Sequence, residues 1–144
     1  MQAKNKTRRS NKERSEATRK SLLTAARQLF VEKSYANTST PEIVAAARVT
    51  RGALYHHFAD KADLFRAVIR AEAEAVAREI ESVTESPSSA IDALTRGAEA
   101  YFDAMVEPGR ARLLLIEGPA VLGHAEMSQI DRETGGEELK DGLV

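Results

Sequence analysis

Residues 40–65 read TPEIVAAARVTRGALYHHFADKADLF, and this run decides the fold. Just ahead of it, Ser39 and Glu42 have the capping-box spacing, in which hydroxyl and carboxylate satisfy each other's backbone amides. Thr40-Pro41 competes as a cap and first helical residue, so the start is placed to within one residue. A short helix is expected from Glu42 to about Ala47, with Ile43 and Ala46-Ala47 turned inward. Arg48-Val49 breaks it. Thr50 then caps a second short helix, Arg51 to about His57, and Asp60 caps the next. Two helices of about two turns, joined by a three-residue turn, form a helix-turn-helix, whose second helix lies in the DNA major groove.

The second short helix carries what such a task needs. Thr50 and Arg51 stand at its N-terminus, where backbone amides and the helix dipole favour a phosphate. Arg51 also offers a bidentate fork for guanine edges. Gly52 and Ala53 let the backbone approach the bases, and Ala53 suits a thymine methyl. Tyr55 and His56 carry donors for phosphate oxygens, and Lys61 is placed for the flanking backbone. Leu54 and Phe58 are apolar and expected to hold the helix to a core. A half-buried core position is the ordinary reading of Tyr55, but its place on a short basic helix favours DNA contact. The adjacent His56 and His57 diverge by about 100° on a helix and lack the i, i+4 spacing of a metal pair. No metal or cofactor is expected.

Upstream, Leu22, Leu23, Ala26, Leu29 and Phe30 repeat at helical steps, marking a helix from about Glu13 to Lys33-Ser34. Residues 1–12 are polar and basic and are expected to be disordered. Downstream, Leu64, Phe65, Val68, Ile69, Val76 and Ile80 mark a long helix to about Val83. Ser86-Pro87-Ser88 interrupts it. A fifth helix, Ser89 to Val106, places Ile91, Leu94, Ala98, Tyr101, Phe102 and Met105 on one side. Pro108-Gly109 ends it. A short helix, about Ala111 to Glu117, precedes Gly118-Pro119, and a weakly periodic segment carries Leu122, Met127 and Ile130. Nothing alternates as a strand, so the fold class is all-α.

The 144 residues carry a net charge of −1, with 42% apolar and 30% charged residues. That balance hides a division. Residues 1–66 hold 14 Lys and Arg against 6 Asp and Glu, a net +8; the remainder holds 7 against 16, a net −9. The first half therefore suits a polyanion. The acidic series Glu72, Glu74, Glu79, Glu81 and Glu85 reads as a solvated face, and Arg110 and Arg112 as solvated cations. The lone His124 reads as a surface or pocket residue. The absence of cysteine excludes a disulfide framework, a thiolate zinc site and a cysteine nucleophile. No apolar run approaches membrane-spanning length, and the N-terminus lacks a signal-peptide core. A cytoplasmic protein without enzymatic activity is expected, since no nucleophile, carboxylate pair or metal set stands out.

The run from Thr40 to Phe65, extended upstream by Ala25-Ala26-Arg27-Gln28-Leu29-Phe30, resembles the DNA-binding signature of TetR-type (TetR/AcrR) transcriptional regulators over about residues 17–70. The resemblance implies a basic arm (1–14), a three-helix DNA-binding domain (15–60) and a helical domain (61–144) that binds a small molecule and dimerises. It also implies DNA contacts by Thr50, Arg51, Ala53, Tyr55, His56 and Lys61, with Thr40 on the backbone. Tyr101, Phe102 and Met105 become candidate effector contacts, although plain core is the ordinary reading of such residues. The function implied is a homodimeric regulator, a repressor released from a palindromic double-stranded operator by an effector. The sequence departs from the family pattern at Ser34 and Arg48, where the family often has glycine, and the regulatory domain is expected to end early. The alternative is a shortened interaction protein that pairs with a longer relative instead of binding DNA.

Overall fold

The structure, a computed structural model, describes residues 2–136 and divides into two units, one ending at Val68 and the other beginning at Ile69. Among the described residues there is no strand. Helix α1 (Gln2–Lys33), α2 (Thr40–Ala47), α3 (Arg51–His57) and the start of α4 (Lys61–Thr84) build the first unit. The rest of α4, α5 (Ala90–Met105), α6 (Arg110–Arg112), a π-helical turn Leu113–Glu117, α7 (Gly118–Leu122), α8 (His124–Asp131) and a second π turn Arg132–Gly136 build the second.

In the first unit, Leu22, Ala26 and Phe30 of α1, Ile43 of α2, Leu54 of α3, and Leu64 and Phe65 of α4 are buried completely. Phe30 meets Phe65 edge-on at 5.3 Å between ring centres, and Tyr35 meets Phe65 at 4.8 Å, geometries that aromatic pairs favour. Thr38 is buried in the connection between α1 and α2, its hydroxyl 2.7 Å from the Ser34 carbonyl and 3.2 Å from that of Leu29. This satisfies backbone oxygens left over at the end of α1.

Helix α1 begins at Gln2, not near Glu13, so the expected disorder is corrected for residues 2–12, with Met1 outside the described residues. Residues 2–12 contain neither glycine nor proline, and extending a helix already nucleated by tertiary packing costs little per residue. At α2, Ser39 is the cap: its Oγ accepts from the Glu42 amide, and Pro41 lies in the first turn. The Glu42 carboxylate reaches Lys33 Nζ at 2.9 Å, tying α2 to α1. Ala46 is exposed, contrary to expectation, because Ile43 alone fills the inward position on so short a helix.

The ends of α1 and α2, at Ser34 and Arg48, both use the left-handed region. Ser34 has φ 77° and closes α1 through its amide to the Phe30 carbonyl at 2.9 Å. Arg48 has φ 58° and ψ 43°. Its amide bonds Ala45 O and that of Val49 bonds Val44 O, the paired pattern of a Schellman motif.

In the second unit the expected apolar side of α5 is corrected. Its buried residues are Gly97, Ala100 and Ala104, whereas Ile91, Leu94 and Phe102 are exposed. A Cβ on Gly97 would lie 3.9 Å from both Ile80 and Thr84, so small residues bring α5 close against α4. Glu72 and Arg110 are corrected too. Arg110 Nε donates to Glu72 Oε2 at 2.6 Å, with both side chains nearly buried, and an Arg110 terminal nitrogen donates to Ala104 O at 2.8 Å. Burial of either charge alone is costly, which is why the two are found together. Gly118-Pro119 does not stop the helix. The helical path continues over 110–122, and the wider π turn before Pro119 relieves the clash a proline makes with the preceding turn.

Candidate nucleic-acid interface

The turn 48–50 sets the angle between α2 and α3, and Thr50 starts α3 by accepting the Ala53 amide at 3.0 Å. That bond occupies the hydroxyl oxygen and leaves its proton to donate outward. Leu54 and Phe58 anchor one side of α3 in the core, as expected. Opposite them Arg51, Gly52, Tyr55 and His56 are exposed, and Ala53 is half-buried between the two sides. The Arg51 guanidinium lies 5.7 Å from the Tyr55 ring centre, within cation–π range. That contact narrows the directions available to the arginine.

Gly52 has no structural need to be glycine. A Cβ there would find only Thr50 Oγ1, at 3.9 Å. A glycine inside a helix costs about 1 kcal/mol relative to alanine.

Around this face stand Lys61, expected from the sequence, and two residues the sequence did not single out, Arg19 and Tyr35. Lys61 Nζ sits 4.0 Å above the Tyr35 ring, and burial holds its ammonium below the ordinary lysine range. The Arg19 guanidinium lies 5.3 Å from the Phe58 ring centre. The His57 imidazole is held below its usual value, first by partial burial and then by His56 and Arg19. Arg19 and Tyr35 were illegible as site components because their relation to α3 and α4 depends on tertiary packing. Thr40 is half-buried at the start of α2, on the neighbouring short helix.

Within the second unit a cavity of about 870 Å³ opens among α4, α5 and the segments from α6 onward. Tyr101 and Met105 line it, with Ile80, Leu114, Met127 and His124. Phe102 does not belong to the lining and is 68% exposed. No helix among the described residues is long and apolar enough to cross a membrane.

Residues 22–68, which contain this helix-turn-helix, match the family described as bacterial regulatory proteins, tetR family. A TetR-family transcriptional regulator from Pectobacterium atrosepticum superimposes with a TM-score of 0.70 at 32% identity, over 91% of this chain and 68% of that one. The chain belongs to the TetR family of regulators. The Transposon Tn10 TetC protein of Escherichia coli is 32% identical over 117 residues, 81% of this chain and 59% of the relative. The HTH-type transcriptional regulator AcrR of Shigella flexneri is 34% identical over 108 residues, 74% of this chain and 50% of AcrR. This TetR-family chain thus spans a little over half the length of the curated relatives it matches. The all-α fold with an N-terminal helix-turn-helix agrees with what the sequence led one to expect.

Proposed function

We propose that this chain is a DNA-binding transcriptional regulator that inserts α3 into the major groove of a palindromic operator. The observation that carries the reading is the two-sided character of α3. Leu54 and Phe58 are sunk in the core, while Arg51, Tyr55 and His56 project outward around a glycine that the fold does not require. In this reading Arg51 reads a base edge, and Gly52 and Ala53 admit the backbone. Thr40, Thr50, Tyr55, His56 and Lys61 hold phosphates. The regulator acts in the cytoplasm as a homodimer and has no catalytic role. A small molecule in the second-unit cavity, against Tyr101 and Met105, releases it from DNA by favouring a conformation unsuited to the operator. Repression is the outcome.

Selection of binding sites from random duplex DNA tests this directly. A palindrome should be enriched, with half-sites one helical turn or more apart; absence of enrichment would remove direct DNA recognition.

A second reading has its own support. Ile91, Phe102, Val106, Leu115 and Ile116 are all 60% exposed or more, an unusual amount of apolar surface. A chain presenting such a surface suits pairing with a longer relative. Native mass after mixing with that relative distinguishes the readings: a mixed dimer that no longer binds DNA supports pairing as the function.

A further inference from the structure

The second-unit cavity has a distinctive charge. Its walls are mostly apolar, contributed by alanines, Val76, Ile80, leucines and methionines. Two carboxylates, Glu81 of α4 and Asp131 of α8, also line it, and no lysine or arginine does. Of the arginines on the flanking helices, Arg110 pairs with Glu72 and Arg70 with Glu133. Among the described residues neither the Glu81 nor the Asp131 carboxylate has a hydrogen-bond or ion-pair partner. Partial withdrawal from water raises the Asp131 carboxyl above its ordinary value.

We propose that this cavity accepts an organic cation with a bulky apolar body, the body lying against Tyr101, Met105 and Met127 and the positive charge meeting Asp131, with Glu81 adding to the field. The proposal rests on the effector reading above and specifies its chemistry. A neutral or anionic ligand of the same shape would fill the apolar walls but leave the carboxylates uncompensated or repelled. The tyrosine ring adds a second attraction for a cation.

Two ions of nearly the same size and shape, tetraphenylphosphonium and tetraphenylborate, isolate the charge. Titration calorimetry on the full chain without DNA, at pH 8, should show the phosphonium binding at least about tenfold more tightly than the borate. Asp131→Asn should remove most of that preference, and Asp131→Glu should retain it. Asp131 is exposed as a residue, so both variants should fold; circular dichroism and sedimentation check this. Equal binding of the two ions, unchanged by Asp131→Asn, would overturn the charge inference and leave the small-molecule reading intact. Failure of both ions to bind would overturn the cavity as an effector site altogether. If sedimentation then showed self-association abolished by Leu94→Glu, a second copy would be its occupant.

Discussion

Arg48 and Ser34 occupy left-handed conformations that L-residues adopt at a cost of about 1–2 kcal/mol. At Arg48 the family often has glycine, and the observed φ of 58° is a conformation that glycine adopts freely. Arg48→Gly should therefore stabilise the fold by about 0.5–1 kcal/mol, the relief of strain being partly offset by the greater freedom of glycine in the unfolded chain. Urea denaturation would show the gain as a higher midpoint at unchanged slope. A lower midpoint would mean that the arginine side chain contributes more than its backbone strains. Gly52 argues the reverse case. It lies in a helix where an added Cβ would meet only Thr50 Oγ1, at an ordinary contact of 3.9 Å, so Gly52→Ala should raise stability by about 0.5–1 kcal/mol while weakening operator binding at least tenfold. Stability and affinity moving together would show that the glycine does not serve DNA. The cap at Thr50 was legible because capping chemistry is local, whereas Ser34 and Arg48 were marked only by resemblance to the family, which often has glycine there. The aromatic seat of Lys61 was not, since Tyr35 and Lys61 meet only after α1 and α4 pack.

At the scale of elements, the helix-turn-helix was read well, whereas the start of α1, the buried face of α5 and the helical path through Gly118-Pro119 were not. Helix α3 begins and ends where Thr50 and the Phe58 anchor predict. Helix α5 is amphipathic in sequence, yet Ile91, Leu94 and Phe102 are exposed while the small Gly97, Ala100 and Ala104 are buried. Periodicity finds a stripe but does not say whether the fold buries the bulky side or the side that permits closest approach. The acidic series on α4 misled in the same way, for Glu72 is buried against Arg110, 38 positions away in sequence. Removing one member of that pair should cost about 3–5 kcal/mol, because the other charge stays buried alone. Glu72→Leu together with Arg110→Met should recover most of the loss. Comparison of thermal unfolding for the single and double variants decides it: a double variant as unstable as the sum of the singles would mean the pair contributes more than its burial costs. The π turn supplies a further test. A Cβ on Gly118 would lie 2.8 Å from Leu113 O and 3.0 Å from Met127. Gly118→Ala should therefore destabilise the second unit, with loss of hydrogen-exchange protection concentrated around 113–130. Uniform loss throughout the chain would show that the two units unfold together.

For the whole molecule, charge is the property most fully visible in sequence and most directly tied to function. The first 66 residues carry a net +8 and the remainder −9, so a polyanion is attracted to one part and repelled from the other. Binding that depends on phosphate neutralisation weakens linearly in log affinity against log salt, at about 0.9 per phosphate contacted. Lys61 and Arg51 separate the two components of such binding. In the reading above Lys61 meets only the backbone, so Lys61→Ala should weaken specific and random duplexes alike and reduce the salt slope by about 1. Arg51 reads a base, so Arg51→Ala should cost about 1–3 kcal/mol on the operator, relax preference at one position in each half-site and leave random-sequence binding less affected. Fluorescence anisotropy across a series of salt concentrations, on both duplexes, measures all four quantities. If Arg51→Ala changed operator and random binding equally, the arginine would be a phosphate contact and base reading would have to lie elsewhere on α3, with Tyr55 or His56. If neither variant changed either duplex, α3 would not be the element that meets DNA, and the +8 half would have to bind its polyanion through another face.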